Sequence, residues 1–116
     1  MSITRLAPGP RMSQAVVHGD VIYLAGQIAA APAGAGVEAQ TRQVLAQIDA
    51  LLADAGSDKT KILSATIYLV DMATFAEMNK AWDGWVAPGH TPARATVEAK
   101  LAAPAYLVEI AAIAAK

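Results

Sequence analysis

A helical stripe near the middle of the chain constrains the fold more than any other segment. Between residues 37 and 55 the less polar side chains recur every three or four residues, and Glu38, Arg42 and Asp49 fall outside that stripe. Gly56 follows directly, and glycine readily adopts the left-handed conformation that ends many helices. The pattern predicts an amphipathic helix that buries one face. Its stripe consists of Val37, Thr41, Val44, Ile48, Leu51, Leu52 and Ala55.

Strand patterns flank this helix on both sides. The apolar runs Ser13–Val17 and Val21–Ala25 are separated by the turn-forming residues His18, Gly19 and Asp20, which predicts a β-hairpin. After the helix, residues Lys61–Val70 are rich in β-branched and aromatic side chains, as expected of a buried strand. Two more predicted strands close the chain, Arg94–Lys100 and Tyr106–Ala114.

A second helix is predicted between the strand Lys61–Val70 and the strand Arg94–Lys100. Thr74 and Glu77 have the spacing of a capping box, and Pro88-Gly89 ends the segment. The apolar stripe of this helix consists of Phe75, Met78, Trp82, Trp85 and Val86. The element order is then ββαβαββ, which predicts a two-layer α+β domain with both helices on one face of a mixed sheet. The other face of that sheet is left uncovered.

The composition predicts a thin core. A chain of 116 residues without a linker-like break is expected to form one domain over residues 1–116. Hydrophobic residues make up 55% of it, yet roughly a quarter of the chain is alanine and there is one phenylalanine. Because alanine buries little area, we expect the uncovered sheet face to pack against further copies of the chain. The stretch Ala29–Gly36 contains only Ala, Pro and Gly and is predicted to be a surface loop.

Charge and cysteine content exclude several functional classes. The net charge of −1 and the lack of a basic stripe disfavour binding of nucleic acid, which relies on neutralising phosphates. The absence of cysteine excludes disulfides, thiol nucleophiles and Cys-ligated metals. Neither a signal-like N-terminus nor a long apolar run is present, so a cytoplasmic protein without membrane contact is expected.

Two charged residues in apolar surroundings are the candidate functional residues. Arg94 lies between two alanines after a proline turn, and Glu109 interrupts the apolar run of the last strand. Arg94 could bind a small carboxylate through two parallel hydrogen bonds, and Glu109 could position or deprotonate a water molecule. Alternatively, the two side chains neutralise each other across neighbouring strands, or Glu109 accepts main-chain hydrogen bonds at a sheet edge. The residues alone favour the structural pair.

No pattern predicts a metal or cofactor site. His18 and His90 lie in turn-forming segments without a second ligand at a suitable spacing. The glycines Gly34 and Gly36 precede a helix but lack the lysine and the spacing of a nucleotide-binding loop.

Five short segments follow one another along nearly the whole chain. They are Ser13-Gln14-Ala15-Val16, Ala25-Gly26-Gln27, Asp71-Met72 with Phe75 and Met78-Asn79, Pro92-Ala93-Arg94-Ala95-Thr96-Val97-Glu98, and Glu109-Ile110 with Ala112-Ile113-Ala114. In this order they resemble the RidA family of reactive intermediate deaminases, also called the YjgF family. The combination is specific because it extends over nearly the whole chain.

The resemblance implies a chorismate-mutase-like fold and a homotrimer with ligand pockets between subunits. It further implies hydrolysis of 2-imino acids, such as 2-iminobutanoate and 2-iminopropanoate, to 2-oxo acids and ammonia without metal or cofactor. In this family pattern Arg94 binds the substrate carboxylate and Glu109 holds the attacking water. Thr96, where the family commonly has cysteine, and Gly26 are expected to reach the ligand through their main chains.

Two positions depart from the family pattern. Met12 stands where many deaminases have tyrosine, and Ala25 stands where they have serine, so two hydroxyls are missing from the expected pocket. A trimer that binds small carboxylates such as 2-oxo acids without turnover, with a regulatory or protective role, therefore remains an alternative. Ribonuclease or chaperone-like activity ranks last, because the net charge does not favour binding of RNA and the sequence indicates no pair of histidines that could act as general acid and base.

Overall fold

The computed structural model describes residues 1–116 and confirms the α+β class. It contains six strands and two helices, joined in places by single turns of 3₁₀ helix at Lys59–Lys61 and Met72–Thr74. The elements are β1 (Ile3–Pro8), β2 (Ser13–His18), β3 (Val21–Gln27), α1 (Val37–Asp54), β4 (Ile62–Leu69), α2 (Phe75–Asp83), β5 (Ala93–Glu98) and β6 (Val108–Ala115).

The first strand, β1, is absent from the sequence-based prediction, so the observed order is βββαβαββ. It pairs antiparallel with β2, from Ile3 opposite His18 to Pro8 opposite Ser13. Five of its six residues are exposed and only Leu6 is partly buried. An edge strand of this kind has no alternation of buried and exposed side chains from which it could be recognised.

The six strands form a single mixed sheet in the order β1-β2-β3-β6-β4-β5. All neighbours are antiparallel except β4 and β5, which run parallel and are connected through α2. A parallel pair needs such a crossover, whereas antiparallel strands can be joined by a tight turn. The strand β6 lies between β3 and β4, so the last segment of the chain forms the centre of the sheet.

Both helices pack on one face of this sheet, as the sequence predicted. One cluster of 21 buried residues joins the stripe of α1 to β2, β3, β4 and β6 and to two residues of α2, Met78 and Trp82. The sheet contributes several alanines to this cluster, among them Ala15, Ala65 and Ala112. Small side chains at these positions keep the sheet side of the core shallow, in agreement with the alanine-rich composition.

The second helix differs from its prediction at both ends. The capping box at Thr74 and Glu77 does not form, because a 3₁₀ turn precedes the helix and Thr74 donates its hydroxyl back to the main-chain oxygen of Asp71. Asp71 instead caps that 3₁₀ turn by accepting a hydrogen bond from the main chain of Ala73. At the other end α2 stops at Asp83, before Trp85 and Val86.

The loop at residues 29–36 is fastened to α1 by glutamine side chains. The main chain of Ala31 forms paired hydrogen bonds with the amide of Gln43, at 3.0 and 2.9 Å. The buried side chain of Gln40 donates to the carbonyls of Pro32, Ala35 and Ala105 and accepts a hydrogen bond from the main chain of Leu107. These bonds supply partners for main-chain groups that belong to no helix or strand.

The opposite face of the sheet is uncovered and partly apolar. On it, Tyr23 of β3 lies beside Ile113 of β6, and these side chains are 48% and 37% exposed. We call this surface the bare face, with Val16, Tyr23, Thr66, Tyr68, Glu109, Ala111 and Ile113 as its members. A contiguous apolar surface of this kind is typical of a protein contact site.

Candidate functional site

Arg94 lies on the edge strand β5 and packs against α2. Its Nη1 donates a hydrogen bond to Oδ1 of Asn79 at 2.9 Å. The guanidinium carbon lies 5.1 Å from the ring centre of Trp82 and 5.8 Å from that of Phe75. Cation–π contacts and one hydrogen bond thus hold the side chain in place.

The partner of Arg94 within the chain is neutral. The two ion pairs of the structure both involve Glu38, which contacts Arg42 and Lys80, and neither involves Arg94. A guanidinium has five N–H donors in a planar fork, and Asn79 accepts from one of them. The positive charge and most of the donors of Arg94 are therefore free to bind a carboxylate.

Glu109 lies on β6 and covers the main chain of Gly26. A Cβ atom added to Gly26 would lie 2.2 Å from Oε2 of Glu109 and 2.9 Å from its Cδ. Any residue larger than glycine would displace the carboxylate. Glu109 is half-buried and takes part in no ion pair within the chain. A lone carboxylate of this kind can accept a hydrogen bond from a water molecule.

Gly26 and Ala25 occupy an irregularity in β3. The pairing of β3 with β6 shifts between Leu24, opposite Ala112, and Gln27, opposite Ile110. Two residues of β3, Ala25 and Gly26, thus lie opposite the single residue Ala111 of β6, which is the count of a β-bulge. Bulges change the direction of side chains locally and are common beside active sites. Here the bulge places Gly26 beneath Glu109 and returns Gln27 to the buried side.

Arg94 and Glu109 point to opposite faces of the sheet. In the register of β4, Ala65 pairs with Arg94 and Tyr68 pairs with Glu109. Ala65 and Tyr68 are three positions apart, and successive side chains of a strand alternate between faces. The interpretation as a neutralising pair on neighbouring strands is therefore wrong, because β4 separates β5 from β6 and the two charges face different sides. A substrate between the two side chains of one chain is excluded for the same reason.

Thr96 lies two residues after Arg94 on the same strand and therefore on the same face. Its Oγ1 is buried without a hydrogen-bond partner and is the one buried side-chain polar atom of the structure in that state. Buried hydroxyls are normally paired, because an unpaired one loses its hydrogen bonds to water. Thr96 therefore carries an unpaired hydroxyl that is shielded from solvent, and the main-chain contact with a ligand stays the expectation drawn from the family resemblance.

Met12, one of the two departures from the family pattern, lines a cleft beside Gly26. This cleft measures about 490 Å³ and lies between the ends of β2 and β3 and α1. Its wall is formed by Met12, Gln14, Gly26, Gln27, Ile28, Gln47, Ala50 and Leu51. A separate cleft of about 430 Å³ between α1 and α2 contains none of the predicted site residues.

The sequence did not assign a role to the residues that hold Arg94. Phe75 and Trp82 were assigned only to the apolar stripe of the second helix, and Asn79 was quoted in a family segment without a function. Their spacing of four and three residues along one helix was the available signal, since such residues share a helix face. Which strand that face contacts depends on how α2 returns to the sheet.

Neither His18 nor His90 belongs to a potential metal site. Both are exposed, and no group of three or more His, Asp or Glu side chains is arranged to hold a metal ion. Neither helix is long and apolar enough to span a membrane.

Comparison with known proteins identifies the family. The family model described as Endoribonuclease L-PSP matches residues 2–116. A RutC family protein of Haemophilus influenzae is 46% identical over 114 residues, which cover 98% of both chains. The RutC family protein YoaB of Escherichia coli is 47% identical over 117 residues, covering 99% of both chains.

Solved structures agree with these sequence matches. A YjgF family protein from Neisseria meningitidis has a TM-score of 0.97 and 50% identity, covering 100% of this chain and 96% of the other. A member of the YjgF/YER057c/UK114 family from Mycobacterium tuberculosis has a TM-score of 0.89 and 28% identity, with 99% of both chains covered. With full-length matches in both sequence and structure, the chain belongs to the RidA/YjgF family, whose members are also named RutC and L-PSP.

Proposed function

We propose that this chain is a cytoplasmic imine deaminase. It hydrolyses 2-imino acids of the 2-iminobutanoate and 2-iminopropanoate type, and their enamine tautomers, to 2-oxo acids and ammonia. The observation that carries this proposal is the state of Arg94, whose guanidinium is fixed by Asn79, Trp82 and Phe75 but has no carboxylate partner. A fixed, planar and unneutralised guanidinium matches the carboxylate of a small acid.

The second half of the site comes from another copy of the chain. The sheet lies between Arg94 and Glu109 within one chain, so one small molecule cannot contact both there. The bare face, with Tyr23 and Ile113 half-exposed, supports a homotrimer in which these faces meet. In such a trimer the pockets lie between subunits, with Arg94 and Thr96 contributed by one copy and Gly26 and Glu109 by its neighbour.

The reaction needs one water molecule and no redox step. Arg94 fixes the substrate carboxylate, and the main chain of Thr96 and the main-chain N–H of Gly26 add donors around it. The carboxylate of Glu109 accepts a proton from the water as its oxygen attacks the imine carbon, which forms a carbinolamine. Glu109 then transfers that proton to the amine nitrogen and ammonia leaves as the C–N bond breaks. The hydroxyl proton passes to the carboxylate of Glu109 as the new C=O bond forms, and from there to solvent, which restores the site.

The protein needs to lower the activation barrier only moderately, because the carbon of a protonated imine is already electrophilic. Fixing the carboxylate at one end and the water at the other converts a bimolecular encounter into a reaction between oriented groups. The unpartnered state of both charges within the chain supports this division of roles, since neither must first be released from an ion pair.

Ammonia release from freshly generated 2-iminopropanoate tests the proposal. We expect Glu109→Gln to lower kcat by about 10²- to 10⁴-fold, the usual contribution of a general base, with little change in the affinity for 2-oxobutanoate. Arg94→Ala should instead abolish measurable binding of 2-oxobutanoate. Arg42→Ala and Glu77→Gln, at exposed positions on the two helices, are matched controls that should retain activity. The proposal is refuted if the wild-type protein gives no acceleration over buffer.

The alternative of a non-catalytic binding trimer is favoured by Met12 and Ala25, which provide no hydroxyls beside Gly26. Such a protein would bind 2-oxo acids through Arg94 alone. Glu109→Ala separates the two cases: it leaves both binding and residual turnover unchanged in a binding protein, and it removes turnover while sparing binding in a deaminase.

A further inference from the structure

Two glutamines, Gln14 and Gln27, belong to the family-like segments but take no part in the proposed reaction. The structure brings them together with a third glutamine, Gln47 of α1. Nε2 of Gln27 donates to Oε1 of Gln14 at 2.9 Å, and Nε2 of Gln47 donates to Oε1 of Gln27 at 3.2 Å. Gln27 is 6% exposed, so this cluster replaces water as its hydrogen-bonding environment.

The amide of Gln27 is directly bonded to the bulge. Its Nε2 also donates to the main-chain oxygen of Ala25 at 3.2 Å. Both N–H bonds and the oxygen of this amide are therefore occupied, by Gln14, Ala25 and Gln47 respectively. Reversing the amide would place its oxygen against the carbonyl of Ala25, so the network permits a single orientation.

Gln47 holds the chain on the other side of the bulge. Its Nε2 donates to the main-chain oxygen of Ile28 at 2.8 Å, and its Oε1 accepts a hydrogen bond from the main chain of Ala30 at 2.9 Å. The segment from Ala25 to Ala30 is thus bonded to side-chain amides before and after Gly26.

Gly26 depends on such support more than an ordinary strand residue does. It has no side chain to pack, and it lies where the ladder between β3 and β6 is interrupted. It also contacts the carboxylate of Glu109 closely, so a displacement of its main chain moves the surface on which that carboxylate rests. We propose that Gln27 and Gln47 are positioning residues that fix the bulge at Ala25–Gly26 and, through it, the carboxylate of Glu109. This inference rests on the proposed deaminase function for its catalytic consequence.

Methionine substitutions test the inference, because methionine resembles glutamine in size but cannot form these bonds. We expect Gln47→Met and Gln27→Met to lower kcat by about 10- to 100-fold, in the range expected when a reacting group is displaced by up to an ångström. The affinity for 2-oxobutanoate should fall by a smaller factor than kcat, since Arg94, the charged anchor of the carboxylate, keeps its contacts and only the main-chain donor of Gly26 is displaced. A general loss of folding would lower both quantities together.

Gln43→Met is the matched control. Gln43 lies one turn before Gln47 on the same helix and forms two hydrogen bonds to the main chain of Ala31, but it forms no hydrogen bond with Gln27. We expect this variant to retain kcat. If Gln43→Met lowers kcat as much as Gln47→Met does, the effect comes from loosening the loop and the inference is wrong.

A measurement without turnover separates this inference from the proposed function. NMR measures the chemical shift and the hydrogen-exchange rate of the backbone amide of Gly26 in the wild-type protein and in each variant. We expect both to change in Gln47→Met and Gln27→Met and to stay the same in Gln43→Met. If the wild-type protein shows no deaminase activity but the Gly26 amide behaves in this way, the NMR result supports the positioning role and the missing activity refutes the proposed function. Unchanged kcat and an unchanged Gly26 amide in both variants would refute the positioning role alone.

Discussion

Replacing Gly26 with alanine tests how closely the carboxylate of Glu109 is held. The added Cβ would lie 2.2 Å from Oε2, whereas ordinary contact begins at 3.4 Å, so the carboxylate must move by about 1.2 Å (3.4 minus 2.2). Gly26 is not among the residues with positive φ, so the alanine main chain itself is not strained. The perturbation therefore acts mainly on one side chain.

The expected effect is large for activity and small for stability. A misplacement of about 1 Å can lower a rate by about 100-fold, and we expect that loss in kcat for Gly26→Ala. The cost to folding should stay near 1 kcal/mol, which is the order of magnitude for holding a side chain away from its preferred rotamer.

The assay compares ammonia release with thermal unfolding at a fixed protein concentration, because the stability of an oligomer depends on concentration. Gly84→Ala is the matched control, since its added Cβ would meet its nearest atoms at 3.7 and 3.8 Å. In a Glu109→Ala background, Gly26→Ala should have no further effect, as expected when two residues act through one contact. A Gly26→Ala protein with unchanged kcat, or with the same additional loss in that background, would refute the reasoning.

Two further predictions concern Arg94 and the bare face. Asn79→Ala should raise KM by about 10- to 150-fold, since a hydrogen bond to a charged group contributes about 1.5–3 kcal/mol, while Asn79→Asp should raise KM further because its carboxylate neutralises Arg94. An Asn79→Asp protein with unchanged KM would contradict a carboxylate-binding role for Arg94. If the proposed trimer forms, Tyr23→Lys with Ile113→Lys should convert it into monomers in analytical ultracentrifugation, and Ala53→Lys on the exposed side of α1 should not.

The helices and inner strands were predictable because each carries its own periodicity. The stripe of α1 and its end at Gly56, whose φ is +82°, follow from neighbouring residues alone. The strand β1 was missed because its exposed side chains carry no such pattern. The capping box at Thr74 was predicted wrongly because a preceding 3₁₀ turn, which the sequence signal did not reveal, redirects the threonine hydroxyl to Asp71.

The candidate site was predictable as a set of residues but not as an arrangement. Arg94 and Glu109 stand out as charges in apolar runs, and the family resemblance adds Gly26 and Thr96. The contacts of Arg94 with Asn79 and Trp82 could not be derived, because they join residues of separate elements. The same holds for the glutamine cluster, which joins residues 14, 27 and 47.

The sequence by itself determined which segments form the helices and most of the strands, the α+β class, and the two charges that need an explanation. The tertiary structure decided that these charges lie on opposite faces of the sheet and that the bulge at Ala25–Gly26 lies directly against one of them, Glu109. The physical reason is that side-chain alternation fixes only relative directions within one strand. The face to which each residue points depends on long-range register, and a single bulge reverses that direction for every residue that follows it in the strand.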